Sequence, residues 1–533
     1  MAASAIVFIA IFCGNVNIIT SITDSAYLGK EFGLAFFSSF HEAPDHALLN
    51  YVVIQSEEGG ECTVEYIPSD RSHHEIVHHE RIAVGGVIKI GLPETTQLNL
   101  ESEISHKGVS VSCTADVLVY TLDRHYGDAN VVHAVPTKSL SRDYYIPGVP
   151  NNAILGVVAI EDNTHVTVKL KTKCKYNYNN KDYGNSDVIS VTLARMEVFA
   201  LSTGHVDFFG DEGCDLGGTH VTANNNFVLY SGGSCTFFGD DRSSTADGCD
   251  KILVQVPPPV MWGKDFLVPD MAGDDKGYQM RVLASVGNTD VTLSIYSGGA
   301  PTTIHNNLGA GEFFVHTAKD NSTVVVHSSK PVLVVQFLTY DPMTLLVRPI
   351  EHYPDITKFG SRYIFVTMEK TIGMRNYENY ENYATLITSS GHTKNVRLDE
   401  KPLTGVQWQN IPQLGYSIAR LPVSYGSHMV DSVASSTPCA VQVYGYSREE
   451  GEAYGYTAVS TCSKQCSDLD LSSILTDAQL TAGIADLINQ VGTDATEDQC
   501  KGACLNSVRT IPAQACPKIC SSFLFYTQKY YSH

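Results

Sequence analysis

Residues Ile154 to Leu170 read ILGVVAIEDNTHVTVKL, and a version of this stretch returns twice further along the chain. In Met280 to Ile295, MRVLASVGNTDVTLSI, the run Asn288-Thr289-Asp290-Val291-Thr292 stands where Asn163-Thr164-His165-Val166-Thr167 stood. Thr385 to Leu398 is a looser third copy, with Leu386-Ile387-Thr388 ahead of Gly391-His392-Thr393 and Val396-Arg397-Leu398. Each copy is an apolar strand, a turn rich in Asn, Asp or Gly, and a second strand alternating β-branched with polar residues, which is the signature of a β-hairpin. A fold built by reiterating strands follows.

Two further blocks keep the same order around it. Turns entering apolar strands occur at Cys113 to Val117, Ser231 to Cys235, Ser328 to Val332 and Ser435 to Cys439, and their last residues are spaced by 118, 97 and 107. Between turn and hairpin lie Ser141 to Pro147, Gly263 to Pro269 and Gly360 to Val366. A period near one hundred residues exceeds a propeller blade of roughly 40 to 50 and suits a sandwich of about seven short strands. The expected class is therefore all-β, in tandem or fused β-sandwich-like repeats, with a propeller-like array as the alternative. The repeats are placed at roughly 27–150, 151–277, 278–381 and 382–458.

The chain of 533 residues is too long for one core, and its 43% hydrophobic and 17% charged residues are globular values. A formal charge of −21 repels phosphate backbones and anionic membranes, which disfavours nucleic acid. Residues 1–26, with the short apolar run Ala5 to Cys13, read as a secretory signal, and no later run is long enough to insert in a membrane.

Fourteen cysteines suit an oxidising compartment. Cys62 with Cys113 and Cys235 with Cys249 are the expected bridges of the β region, where an odd count leaves one thiol over. Residues 459–533 read as a small helical domain. Cys462 and Cys466, Cys500 and Cys504, and Cys516 and Cys520 are each four apart, which suits disulfides between helices. Lys173 to Asp187, Gly210 to Gly218 and Asn376 to Tyr383 read as loops, and the Asp-rich strings Gly239 to Arg242 and Asp270 to Asp275 as turns without calcium-loop spacing. Asn321-Ser322-Thr323 is a glycosylation sequon at an exposed turn.

His74-Glu75-Ile76-Val77-His78 matches H-E-x-x-H, which on a helix gathers two imidazoles on zinc with the glutamate as general base. Its strand-like flanks and the lack of a defined third ligand argue for a solvated segment. A zinc-dependent hydrolase using His74, Glu75 and His78 is the enzymatic alternative to a binding protein, and a glycan-binding lectin is a third reading. No nucleophile elbow, P-loop or dinucleotide fingerprint occurs, so no catalytic or cofactor-binding residue is assigned and no metal is expected.

Cys249 to Gly263, CDKILVQVPPPVMWG, then Tyr340-Asp341-Pro342, His428-Met429-Val430-Asp431, and Tyr444-Gly445-Tyr446 with Gly455-Tyr456 resemble, in this order, the IgGFc-binding protein N-terminal domain family. The resemblance runs from about Gly29 to about Ala458. It implies extracellular, non-enzymatic work in mucus, adhesive or matrix layers, with proteins or glycoproteins as partners. Von Willebrand D modules and the Gly-Asp-Pro-His string of long family members do not occur within these 533 residues. The expected function is thus a secreted structural or interaction protein that binds through loops on β modules.

Overall fold

The structure, a computed structural model, describes residues 26–39, 49–67, 76–125, 128–204, 214–236, 238, 250–273, 277–319, 321–338, 343–347, 362–368, 380–412, 414–432, 439–447 and 452–459. The expected signal at 1–26 and helical tail at 459–533, with all six tail cysteines, therefore lie essentially outside it.

Ile154 to Leu170 forms two strands, Ala153–Ala159 and Thr164–Lys169. They are not a hairpin, because neither pairs with the other. Both pair with one 17-residue strand, His220–Thr236, the first against its second half and the second against its first half. The connection is an arch that steps from one sheet to the next. Burial explains the split: every residue of Ala153–Ala159 is buried, while Thr164–Lys169 alternates buried and exposed. A strand covered on both faces and a strand with one wet face belong to different layers.

The repeated tetrad Asn-Thr-x-Val is the chemistry of this arch. Asn163 and Asn288 hold φ of 55° and 53°, the left-handed region that Asn tolerates. The next residue closes the turn, Thr164 Oγ1 donating to Glu161 O at 2.7 Å and Thr289 Oγ1 to Val286 O at 2.5 Å.

The second module shows the plan. A lead strand, Ser141–Tyr145, pairs with the first half of the spine His220–Thr236. The two arch strands follow. An edge strand, Val188–Leu193, pairs with the outer arch strand, a return strand, Val198–Ser202, with the inner one, and a closing strand, Asp250–Gln255, with the second half of the spine. Two curled sheets thus share one spine.

The first module repeats this with Gly29–Leu34, Leu49–Ser56, Gly60–Tyr66, Ile76–Ile82, Gly86–Leu92, the spine Val109–His125 and Asp128–His133. The third does so with Gly263–Val268, Tyr278–Ala284, Thr289–Tyr296, Thr302–Leu308, Phe313–Ala318, the spine Thr323–Leu338 and Met343–Val347. In the fourth the spine is two strands, Ser427–Ser432 and Cys439–Ser447, served by Arg362–Val366, Glu381–Ser389, Val396–Leu398, Lys401–Pro402, Tyr416–Val423 and Glu452–Thr457.

Three sequence expectations shift. The segments Ser141–Tyr145, Gly263–Val268 and Arg362–Val366, placed at the ends of repeats, pair with the spines of the following modules. Like Cys113 to Val117 and Ser328 to Val332, Ser231 to Cys235 is not a turn but the interior of a spine. Its glycines allow close strand approach, since a Cβ on Gly232 would sit 2.0 Å from Ile252 O. The first spine residues to pair with the inner arch strand are Leu118, Phe227, Val332 and Cys439, spaced by 109, 105 and 107, a more even period than the turn motifs gave. Lastly, Lys173 to Asp187 is not a plain loop. It holds a small hairpin, Tyr176–Tyr178 with Lys181–Tyr183, turned by Asn179 and Asn180 at positive φ. Likewise Glu381 to Tyr383, read as loop, open a strand.

The modules close a ring. Phe37, Val132 and Leu140 pack with Ile154, Tyr230 and Leu253 between the first and second. Leu229 and Trp262 join Leu283, Leu333 and Phe337 between the second and third, and Met271 and Leu338 join Tyr444 and Tyr446 between the third and fourth. Leu118, Tyr120 and Val131 pack with Val441, Tyr454 and Tyr456, joining the fourth back to the first. The four closing strands meet in succession around the centre. The ring is propeller-like in closure, but each unit is a pair of sheets rather than one four-stranded blade.

Candidate functional site

The H-E-x-x-H string needs a helix, and its described part does not supply one. His74 and Glu75 lie outside the described residues, but Ile76 to His78 open the edge strand Ile76–Ile82. His78 stacks on Tyr66 with ring centroids 5.8 Å apart, while the adjacent His79 bonds Thr63 Oγ1 through Nδ1 at 3.1 Å. Strand alternation sends these two imidazoles to opposite faces. Among the described residues, no group of three or more His, Cys, Asp or Glu side chains is arranged to hold a metal ion. The helix-dependent reading of His78 is corrected accordingly.

What the plan does repeat is an outward polar face on the sheet formed by the lead strand, first spine half, outer arch strand and edge strand. In the third module Asp265, His327, Thr292 and His305 stand in register across four strands. His327 Nδ1 meets Asp265 Oδ1 at 2.6 Å, and His305 Nδ1 meets Thr292 Oγ1 at 3.1 Å. The first module aligns Glu31, Ser112, Thr63 and His79 in the same way. The second has His165 against Thr192 at 2.9 Å and His220 against Asp143 at 2.9 Å, with Tyr145 stacked on His220. These faces are exposed to half-exposed and dense in hydrogen-bonding groups. Sequence periodicity marked the exposed positions but not their registry across strands.

A Ser–His–Asp alignment that sequence reasoning missed sits in the fourth module. His428 Nδ1 meets Asp399 Oδ2 at 2.8 Å, and Nε2 lies 3.5 Å from Ser424 Oγ. The same Nε2 is only 2.8 Å from Ser424 O, so it lies closer to the carbonyl than to the hydroxyl. The nearby Gly426 N–H is taken by Thr367 Oγ1 at 2.8 Å. The cluster closes a turn.

Cysteines and charged side chains fix the frame that carries these faces. Cys62 and Cys113 stand directly opposite each other and form a disulfide with Cα atoms 4.1 Å apart. Cys174 pairs with Cys214, a bridge that spacing did not suggest, and Tyr176 OH caps it by donating to Cys214 O at 3.0 Å. Cys235 is disulfide-bonded, and its expected partner Cys249 lies outside the described residues. Among the described residues Cys439 is a free thiol, buried and pushed well up in pKa by that burial and then by the charge of Asp431.

At the second junction Arg281 Nη1 donates to Pro147 O at 2.9 Å and to Asp215 Oδ2 at 2.8 Å, over the ring of Phe313. Burial raises the Asp215 carboxyl, and the Arg281 charge pulls it back. At the third, Arg420 Nε donates to Asp270 O at 2.6 Å. Asp270 is buried and accepts from Asn321 N at 2.7 Å, so this member of the Asp-rich string serves a turn, while Asp274, Asp275 and the string from Gly239 lie outside the described residues. Asn321 itself is exposed, at φ 58°.

The human IgGFc-binding protein is 21% identical over 374 residues, which cover 68% of this chain and 6% of that protein. The chain thus spans a small fraction of its curated relative. Among solved structures, the major pilin of Streptococcus pyogenes aligns at 9% identity over 58% of this chain and 99% of its own, with a TM-score of 0.14. A tetra-tandem repeat from the extending region of a large adhesion protein aligns at 10% identity over 76% and 93%, with a TM-score of 0.09. Scores this low carry no argument about the fold. The IgGFc binding protein family model matches residues 129–445, more than half of the sequence and three of the four spines, and the chain therefore belongs to that family.

Proposed function

We propose that this chain is a secreted, non-enzymatic interaction protein that engages extracellular proteins or glycoproteins through the outward polar faces and adjoining loops of its ring. The observation that carries this reading is the registered row Asp265–His327–Thr292–His305 and its counterpart in the first module: rigid exposed hydrogen-bonding surfaces on a closed scaffold. Family membership supports an extracellular binding role, and antibody Fc, named in the human relative, is one partner to test. Mucus, adhesive or matrix work, cleavage of residues 1–26 and a glycan on Asn321 belong to the same reading, as does the division into a β region at 27–458 and a cysteine-rich tail at 459–533.

The test is biolayer interferometry of the purified chain against Fc and a panel of mucin-type and matrix glycoproteins, each native and enzymatically deglycosylated. Saturable binding weakened at least tenfold by the pair Asp265→Ala and His305→Ala supports the proposal. Binding confined to native glycoproteins would make the protein a lectin, and an absence of binding to the whole panel rejects the reading.

A further inference from the structure

Asp123, on the first spine, and Lys251, on the second closing strand, face each other across the first junction, with side chains 4% and 1% exposed. Lys251 Nζ meets Asp123 Oδ2 directly and also donates to Phe37 O at 2.9 Å. The surroundings are apolar, with Phe37, Val132, Val228, Tyr230 and Leu253 in the cluster that fills this junction. Charges placed there lose their hydration, and mutual attraction offsets that loss poorly. We propose that Lys251 and Asp123 condense into an amide that covalently welds the first module to the second.

Proximity comes first. Both residues lie on strands of the same junction, Asp123 paired between Leu49–Ser56 and Asp128–His133, Lys251 between Asp250 and Ile252, which pair with Thr236 and Gly233 on either side of a register shift. Burial of both side chains and their direct contact hold amine and carboxyl at high effective concentration. Activation comes next. Asp123 is directly opposed in register by Asn50 on one side and Asn130 on the other. Directly opposed residues share a face of the sheet. The Nδ2 groups of Asn50 and Asn130 are buried and have no hydrogen-bond partner. Two unspent amide donors beside a carboxyl group are suited to hold negative charge on its oxygen as the carbon is attacked.

The step balances without any co-reactant. The Lys251 ammonium passes a proton to the Asp123 carboxylate along their hydrogen bond, giving an amine and a carboxylic acid. The amine nitrogen attacks Cγ, the C–N bond forms, and the C–O bond breaks. The hydroxyl leaves with an amine proton as water. Two buried charges become one neutral amide, and the dry surroundings that favour this also hinder hydrolysis.

The test is mass spectrometry of the full chain, secreted, reduced and deglycosylated. The expected intact mass is lower than that of the unlinked sequence by one water, and a proteolytic digest yields a branched peptide joining the segments that hold Asp123 and Lys251. Lys251→Arg, which keeps the charge but not the nucleophile, is expected to restore the missing water and both linear peptides. Linear peptides alone from the wild-type digest overturn the proposal, as does a deficit that persists in Lys251→Arg. The wild-type digest decides the matter even where the variant folds poorly, and it is independent of whether any binding partner is found.

Discussion

Replacing Arg281 by Met isolates what the second junction contributes. The guanidinium is 3% exposed and Asp215 is 22% exposed. Breaking a buried pair from one side costs about 3 to 5 kcal/mol. Asp215 keeps the Gly217 N–H at 2.7 Å and some water, which brings the expected cost down to about 2 to 3 kcal/mol. The chain has two tryptophans, and Trp262 belongs to the cluster at this junction. Its fluorescence, in a Trp408→Phe background, reports the junction's unfolding in urea. A shift of about 1 M in midpoint corresponds to that cost at a slope of about 2 kcal/mol/M.

The sign with pH gives a second check. Burial raises the folded-state pKa of Asp215, so the folded form holds its proton more readily than the unfolded chain, and this group favours folding increasingly as pH falls. Without Arg281 the opposing attraction is gone and the pKa rises further. The gap between wild type and Arg281→Met should therefore narrow on acidification from about pH 7 to about pH 5. Adding Asp215→Asn to the Arg281→Met variant should recover part of the loss, as contacting pairs are not additive. An unchanged midpoint, or a gap that widens in acid, refutes the account of Arg281 as the counter-charge of Asp215.

Two other perturbations probe the frame. Removing the first bridge with Cys62→Ala and Cys113→Ala opens a loop of sequence separation 51, worth about 4 kcal/mol in the loop-entropy account, and hydrogen exchange should rise in Gly60–Tyr66 before it rises in the other modules. Gly156→Ala puts a Cβ 2.2 Å from Phe37 Cζ at the first junction, so a loss of about 1 to 3 kcal/mol is expected in thermal unfolding, and Phe37→Leu in the same chain should return part of it.

The arch was legible as a repeat because its chemistry is local: a left-handed Asn and a Thr that bonds three residues back. Its identity as an arch was not, since a hairpin uses the same turn residues and the same alternation. Only the shared partner, a spine further downstream, separates the two. The first module's arch is not among the sequence copies because Gly59 and Gly60, at φ 74° and 140°, supply the backbone freedom that Asn163 and Asn288 give elsewhere. The second spine was set out of register by Gly232 and Gly233, which look like a turn and serve close packing. Ring closure left no trace in the pattern, because Leu118 and Val441 meet from opposite ends of the chain. The cross-strand rows were invisible for the same reason: each combines residues from four separate segments.

Leu28 and Val459, near the two limits of the ring, belong to one cluster. Tension applied through sequence on either side of the ring would consequently enter and leave at nearly the same place, where the fourth module meets the first. The load would fall on that single seam, while the three junctions within the ring hang beside the line of pull. A break there would open the ring like a clasp and pay out slack with each module still folded.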